Sequence, residues 1–241
     1  MIVWKVRGTS PSGSLTTNLT NFIIMEASPK ATKKEIVTAF RTGEILAAAR
    51  QLLEQRGPEA MTMEEIAAVA GVAKGTLYLY FQSKDDLILA LITQVGENIL
   101  QDVEASLMAP GTPPEKLIRM VSVLLEYLNR ERLLFPIYAR ELLRGEGEPR
   151  KGSRRRYHEL EEEFVALVTR LFAEGIATGH FIPANPRLLT FLIRGLVRAT
   201  GYYQKAEGQA DAAKEALPVI LTLISSGFIR EKRSLAEEAA L

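Results

Sequence analysis

From Thr42 onward the chain carries apolar residues in stripes of helical period. Ile45, Leu46, Ala49, Leu52 and Leu53 fall at i, i+1, i+4, i+7 and i+8, one face of a helix. Gly57-Pro58 predicts the end of that helix. Thr62 with Glu65 three residues later has the form of a capping box, opening a short helix that carries Ile66, Ala67 and Ala70. Gly71 breaks it, and a second short helix is predicted from about Lys74 to Phe81. Ser83 then caps a long helix striped by Leu87, Ile88, Leu91, Ile92, Val95, Ile99, Leu100, Val103 and Leu107. The Pro- and Gly-rich stretch 109–114 is the clearest break in the chain. Beyond it, helices are predicted at about 114–129, 131–144, 153–178, 186–205 and 211–229. No segment shows sustained strand alternation, so the fold class is all-α.

Composition narrows this picture. With 241 residues, 47% apolar and 24% charged, the chain has ordinary globular composition and material for one or two domains. Thirty Lys and Arg against 29 Asp and Glu leave a net charge of +1. Any surface for nucleic acid must therefore come from local placement. From Lys30 to Lys84 there are eight basic and six acidic residues, a difference of +2. Lys30, Lys33 and Lys34 are a candidate arm for DNA backbone or minor groove. Cysteine is absent, which excludes disulfides, thiolate metal sites and thiol nucleophiles. The two histidines, His158 and His180, lie outside any zinc-binding spacing. No catalytic constellation, metal site or cofactor site is visible, and none is expected. No apolar run reaches the ~20 residues of a membrane span. The N-terminus lacks a long apolar signal segment, so a cytoplasmic location is expected. Residues 1–30 are rich in Ser, Thr, Gly and Asn and read as a flexible extension, in which residues 1–24 are either an added or over-extended start or a native arm. Residues 231–241 read as a C-terminal tail.

The two short helices and their turn form a helix-turn-helix. Ala67, Ala68 and Ala70 let the helices cross closely, and Gly71 supplies a turn with positive φ. Ile66, Val72 and Leu77 provide a small core. The second helix is then free to enter a major groove. Lys74, Gly75 and Thr76 stand at its N-terminal end, where base edges are met. Tyr78 and Tyr80 carry phenols that can reach phosphate, and Lys84 adds charge at the next helix start. Thr62, at a helix N-terminus, is a natural phosphate site.

The string from Thr62 to Ala67, followed by Ala70-Gly71-Val72-Ala73-Lys74-Gly75-Thr76-Leu77-Tyr78-Leu79-Tyr80-Phe81-Gln82-Ser83-Lys84-Asp85-Asp86-Leu87, closely resembles the DNA-binding domain of the TetR family of bacterial transcriptional regulators. The resemblance covers about residues 40–90. The remainder is similar only in helix count, length and a glycine, Gly227, near the last helix end. The resemblance implies an all-helical homodimer with a DNA-binding domain at 31–88 and a larger ligand-binding and dimerisation domain at 89–230. It assigns Thr62, Tyr80 and Lys84 to phosphates, and Lys74, Gly75, Thr76 and Tyr78 to bases or the adjacent backbone. The implied partners are double-stranded DNA carrying a palindromic operator and a small-molecule effector.

In the C-terminal half, the helices at 186–205 and 211–229 are apolar on nearly every side, which predicts burial on every side. A second subunit is the expected cover, with Leu192, Leu196, Ile220, Leu223 and Ile224 at the interface. Pro218 is expected to kink or begin its helix. Tyr127, Phe135, Tyr138, Phe164 and Phe172, with Phe181, are candidate walls of an effector pocket, favouring an apolar or aromatic ligand. Arg140, Glu141 and His158 are candidate polar groups near it. The basic run Arg144, Arg150, Lys151, Arg154, Arg155 and Arg156 reads as a solvated helix start with local pairs such as Arg155 with Glu159. The function expected is a ligand-responsive regulator, a repressor released from its operator by a small molecule. Two alternatives are a helical-bundle enzyme, which turnover of a bound ligand would reveal, and a ligand-independent DNA-organising protein, which would lack a sequence-specific footprint.

Overall fold

A computed structural model describes residues 32–143, 152–208 and 211–229. These form nine helices: α1 (Lys33–Ala60), α2 (Met63–Val69), α3 (Lys74–Tyr80), α4 (Lys84–Met108), α5 (Pro113–Arg130), α6 (Phe135–Leu143), α7 (Gly152–Ala177), α8 (Pro186–Glu207) and α9 (Ala212–Gly227). Among the described residues the nearest approach to a strand is one antiparallel bridge, Phe181 to Ile229. The N-terminal extension and the C-terminal tail lie outside the described residues, as do Arg144, Arg150 and Lys151.

Three boundaries differ from the sequence reading. Helix α1 starts at Lys33, not near Thr42, so Lys33 and Lys34 belong to a helix and not to an arm. Its first turns expose Ile36, Val37 and Phe40, and a helix without a buried stripe leaves no periodic signal. Gly57, at φ 76 and ψ 170, still interrupts the helix where Gly57-Pro58 predicts a stop, and one further turn follows through Pro58. Helix α6 begins at Phe135, because Glu131–Leu134 fold into a turn closed by the Leu134 amide donating to the Glu131 carbonyl at 2.9 Å.

Pro218 does not begin a helix: α9 runs through it from Ala212. The lost amide bond would have gone to the Lys214 carbonyl on an exposed turn, where water can serve it. Ile220 and Ile224, buried in the core, hold the segment helical.

The core has two parts. One joins Ile45, Leu53, Ile66, Leu77 and Phe81 of the N-terminal helices to Leu87, Leu91 and Ile92 of α4, and continues into Tyr127, Leu134 and Tyr157. The other fills the bundle of the distal half of α4 with α5, α7, α8 and α9. Helix α4 therefore runs from the helix-turn-helix into the centre of the bundle.

Candidate nucleic-acid interface and ligand cavity

The helix-turn-helix is built from local signals. The Glu65 amide donates to Thr62 Oγ1 at 3.2 Å, and the Thr62 amide donates back to Glu65 Oε2 at 3.1 Å. This reciprocal cap starts α2. Hydrogen bonds from Thr62 hold the Glu65 carboxyl below its ordinary range, and Arg56 sits 2.7 Å from its other oxygen. At the C-terminal end, Gly71 takes φ 66, its amide reaches the Ala68 carbonyl, and the Val72 amide reaches the Ala67 carbonyl. This pair of bonds closes the helix only with a left-handed residue at position 71, hence glycine. Buried Ile66, Ala67 and Leu77 fix the crossing of α2 and α3.

That crossing sets which side chains of α3 face outward. Leu77 points into the core, so Lys74, Gly75, Tyr78 and Leu79 face solvent, while Thr76 and Tyr80 are half-buried on the flank. A Cβ at Gly75 would meet no neighbour within 4 Å, so packing inside the subunit does not require glycine there. Leu79 is 84% exposed and lies outside the residues expected to meet DNA. Its stripe position relative to Leu77 is the signal that identifies it.

Two of the expected DNA-contacting cations are already engaged. The Lys74 ammonium pairs with Glu64 of α2; the hydrogen bond from Lys74 lowers the carboxyl of Glu64, and Glu64 in turn raises Lys74. Both groups are exposed, and solvent screening leaves an exposed pair of this kind weak, so a phosphate or base can displace Glu64. The Lys84 ammonium donates to the Pro58 and Glu59 carbonyls at 3.1 and 3.4 Å, tying α4 to the end of α1. One of its three N–H groups remains for a further acceptor.

A cavity of about 150 Å³ lies between α4, α5, α6, α7 and α8. Tyr127, Phe135, Tyr138 and Phe164 line it, with Leu and Ile side chains from α4 and α5. Phe172 does not. It is fully buried at the far end of the bundle, its ring 5.2 Å from that of Phe181 and 6.2 Å from that of Phe228. Phe172 and Phe164 lie on one stripe of α7, about two turns apart, so periodicity fixes their face and not their depth. Phe181, likewise, packs with Phe172 and not in the cavity.

The polar groups of the cavity are Glu131, Tyr138, Tyr157, Glu161, Arg194 and Arg198. The Arg194 guanidinium pairs with Glu161 and sits 5.4 Å from the Phe164 ring centre. Burial opposes the charge on Arg194, and the pull of Glu161 and Tyr138 more than offsets it. Burial pushes the Tyr138 phenol up to about 12, helped by the Glu161 carboxylate. Burial also pushes the Tyr157 phenol upward, so both are neutral donors at physiological pH. Glu131 accepts from Arg50 of α1 at 2.8 Å, which links the cavity wall to the helix-turn-helix domain. The Tyr127 hydroxyl donates to Asp102 at 2.6 Å. Of the polar residues expected near the pocket, Arg140, Glu141 and His158 are not among the lining residues. Buried Glu141 lies 2.8 Å from Arg154, and His158 stacks edge-on against Tyr157. The described part of the basic run forms ion pairs: Arg155 with Glu159 at 2.8 Å, and Arg156 with Glu97 at 3.1 Å and Glu163 at 2.8 Å.

Residues 45–91 match the family described as "Bacterial regulatory proteins, tetR family", and residues 110–216 match the "Tetracyclin repressor-like, C-terminal domain". The chain belongs to the TetR family of bacterial transcriptional regulators. It is 26% identical to the fatty acid metabolism regulator protein of Bacillus subtilis (strain 168), over 65% of this chain and 79% of that protein. Among solved structures it is similar to a TetR/AcrR-family regulator of Thermobifida fusca, with a TM-score of 0.65 and 25% identity over 79% of this chain and 99% of that one. It shares its fold with the regulator FadR of Bacillus subtilis solved with stearoyl-CoA, with a TM-score of 0.63 and 24% identity over 76% and 97% of the two chains.

TetR-type chains end in a helical domain, and here α8 and α9 leave one apolar face uncovered. Leu188, Phe191, Leu192, Val219 and Leu223 are all exposed, and Gly195 has no neighbour near its Cβ position. Of the five residues expected at an interface, Leu192 and Leu223 lie on this face and Leu196 is half-buried beside it. Ile220 and Ile224 do not lie on it. They are 4% and 0% exposed and point into the core of their own subunit. Helix α9 is apolar on both faces, so its pattern does not say which side turns inward. No described helix is long and apolar enough to cross a membrane.

Proposed function

We propose that this TetR-family regulator is a repressor that binds a palindromic operator as a homodimer and is released when an apolar small molecule fills the cavity. The observation that carries this reading is the outward face of α3, held rigidly on α2 and joined by α4 to the cavity. Residues 31–88 form the reading domain, and 89–230 the effector and dimerisation domain. Two copies of α3 about one DNA turn apart, ~34–36 Å, read successive major grooves. Lys74 donates to guanine acceptors after leaving Glu64. Leu79 offers apolar surface to a thymine methyl, and Gly75 lets the backbone approach. Tyr78, Tyr80, the third N–H of Lys84 and the start of α2 at Thr62 meet phosphates.

The effector acts through two links. Helix α4 lines the cavity with Ile92, Val95, Gly96, Ile99 and Leu100 and carries the reading domain on its first turns. Glu131 touches the cavity and holds Arg50. A ligand shifts the equilibrium only by its differential affinity for the two arrangements, so these links must differ between bound and free states. The relative solved with stearoyl-CoA supports an apolar acyl ligand.

Fluorescence anisotropy with DNA from upstream of the protein's own gene tests the assignment of α3. Lys74→Ala is expected to weaken binding and lower the salt slope by about one unit. Glu64→Gln is expected to tighten binding several-fold, because it frees Lys74 and removes a negative charge facing DNA. Unchanged binding in both variants would remove α3 from the interface.

A further inference from the structure

One side chain reaches from the cavity to the uncovered face of α8 and α9. Arg194 lines the cavity and is 8% exposed. Its guanidinium pairs with Glu161 of α7 and stands 5.4 Å from the ring centre of Phe164, and both of these residues also line the cavity. The same guanidinium stands 5.9 Å from the ring centre of Phe191, one turn earlier on α8. Phe191 is 44% exposed and lies on the uncovered face with Leu188 and Leu192. Arg187, a further turn back and exposed, stands 5.7 Å from the same ring. Phe191 is thus flanked by two guanidiniums, one buried in the subunit and one at its surface.

This arrangement responds to both of its sides. A cation near an aromatic face is worth little in water and more once the pair is desolvated. A second subunit laid on the face would cover Phe191 and strengthen its contact with Arg194. The backbone beside Arg194 is open to such an approach, because a Cβ at Gly195 would meet no neighbour within 4 Å. On the inner side, Glu161 holds Arg194 by a charge-assisted pair. Leaving a buried charge without its partner is strongly unfavourable, so a shift of Glu161 carries Arg194 with it. Glu161, Arg194 and Phe191 therefore form a short path from the cavity wall to the face.

We propose that Arg194 is a positioning residue of the dimer face, through which the state of the cavity sets the strength of subunit association. This rests on the reading of the cavity as the effector site and of the α8–α9 face as the dimer interface. By linkage, a ligand that shifts Arg194 changes the dimer affinity by the same factor by which dimerisation changes the ligand affinity. The path is separate from α4 and from the Glu131–Arg50 pair, since it leads to the partner subunit and not to the reading domain.

Sedimentation of the amine-labelled full chain across a dilution series reads the dimer dissociation constant and tests this without any ligand. Phe191→Leu keeps an apolar side chain and removes the ring. It is expected to weaken the dimer about tenfold, because two copies of the contact are lost per dimer. Phe191→Tyr keeps the ring and is expected to associate like wild type. Arg194→Lys keeps the charge and loses the planar group that faces both rings, and is expected to weaken the dimer as Phe191→Leu does. Glu161→Gln alters the cavity wall. It is expected to change the dissociation constant several-fold in the wild-type background and to leave that of Phe191→Leu unchanged. Circular dichroism checks that each variant is folded. If Glu161→Gln does not fold, Arg194→Lys in the same two backgrounds decides: its effect is expected to vanish in Phe191→Leu. Equal shifts in the two backgrounds would overturn the proposal, as would a Phe191→Leu dimer as strong as wild type or a Phe191→Tyr dimer as weak as Phe191→Leu. A wild-type chain that stays monomeric at every concentration would overturn the dimer reading, and this inference with it.

Discussion

Replacing Leu188 and Leu223 together with Glu is expected to yield a monomer that binds a palindromic duplex on the order of 10²–10⁴-fold more weakly, the gain that linking two binding modules supplies. Both side chains are about half exposed in the subunit, at 55% and 47%, so their replacement leaves the subunit core intact. They lie on the face of α8 and α9 that also exposes Phe191, Leu192 and Val219. Exposed apolar side chains grouped on two neighbouring helices fit the proposed association surface. Across a two-fold axis each new carboxylate is duplicated, and like charges in a desolvated interface are strongly unfavourable. On the proposed dimer, one α3 alone would read a half-site, the second reading domain would bind at the effective concentration that the dimer sets, and a monomer would lose that contribution. Light scattering reads the mass and anisotropy reads the affinity. A variant that remains dimeric would place the interface elsewhere. A monomer with undiminished affinity would show that the two heads do not act together.

The second large effect is expected at Gly175. There the chain leaves α7, turns at Gly179 with φ 73, and folds Phe181 back onto the helix. The His180 and Phe181 amides both donate to the Gly175 carbonyl, at 2.8 and 3.1 Å. A Cβ at position 175 would lie 2.1 Å from Phe181 Cδ2, an impossible contact. Phe181 is fully buried against Phe172, and the Ile182 amide donates to the Phe228 carbonyl at 3.0 Å. The ring is enclosed by core side chains, and shifting it is expected to strain the bridge at the end of α9. Gly175→Ala is expected to destabilise by about 3 kcal/mol, the upper part of the range for overpacking. For a chain of this size that lowers the melting temperature by about 6–12 °C. Gly43→Ala is the matched control. Gly43 is helical with no neighbour within 4 Å, and alanine there is expected to stabilise by roughly 0.5–1 kcal/mol. A melting temperature unchanged in Gly175→Ala would contradict the packing described.

What the sequence makes legible is short-range. The cap at Thr62 and Glu65, the left-handed Gly71 and the Ser83 cap are each set by residues within four positions, and each stands where the pattern puts it. The reading helix follows from them. The cavity does not. Tyr157 lies between Arg156 and His158 in a run that reads as a solvated helix start, and nothing local shows that its ring turns inward. Glu161 and Arg194 meet across 33 positions, and Arg50 meets Glu131 across 81. Leu79 is apolar and exposed, the reverse of the usual expectation, and only the inward course of Leu77 reveals it. In α9 both faces are apolar, so Ile220 and Ile224 read as interface residues although they fill the core.

On the proposed dimer two α3 helices read one operator. Hydroxyl-radical footprinting on DNA from upstream of the protein's own gene, with excess non-specific DNA present, decides whether they do. The expected result is two protected patches related by a palindrome, centred about one helical turn or ~34–36 Å apart, that fade when an acyl effector is added. Uniform protection without sequence preference, or protection lost entirely to the competitor, would exclude paired reading of an operator by α3.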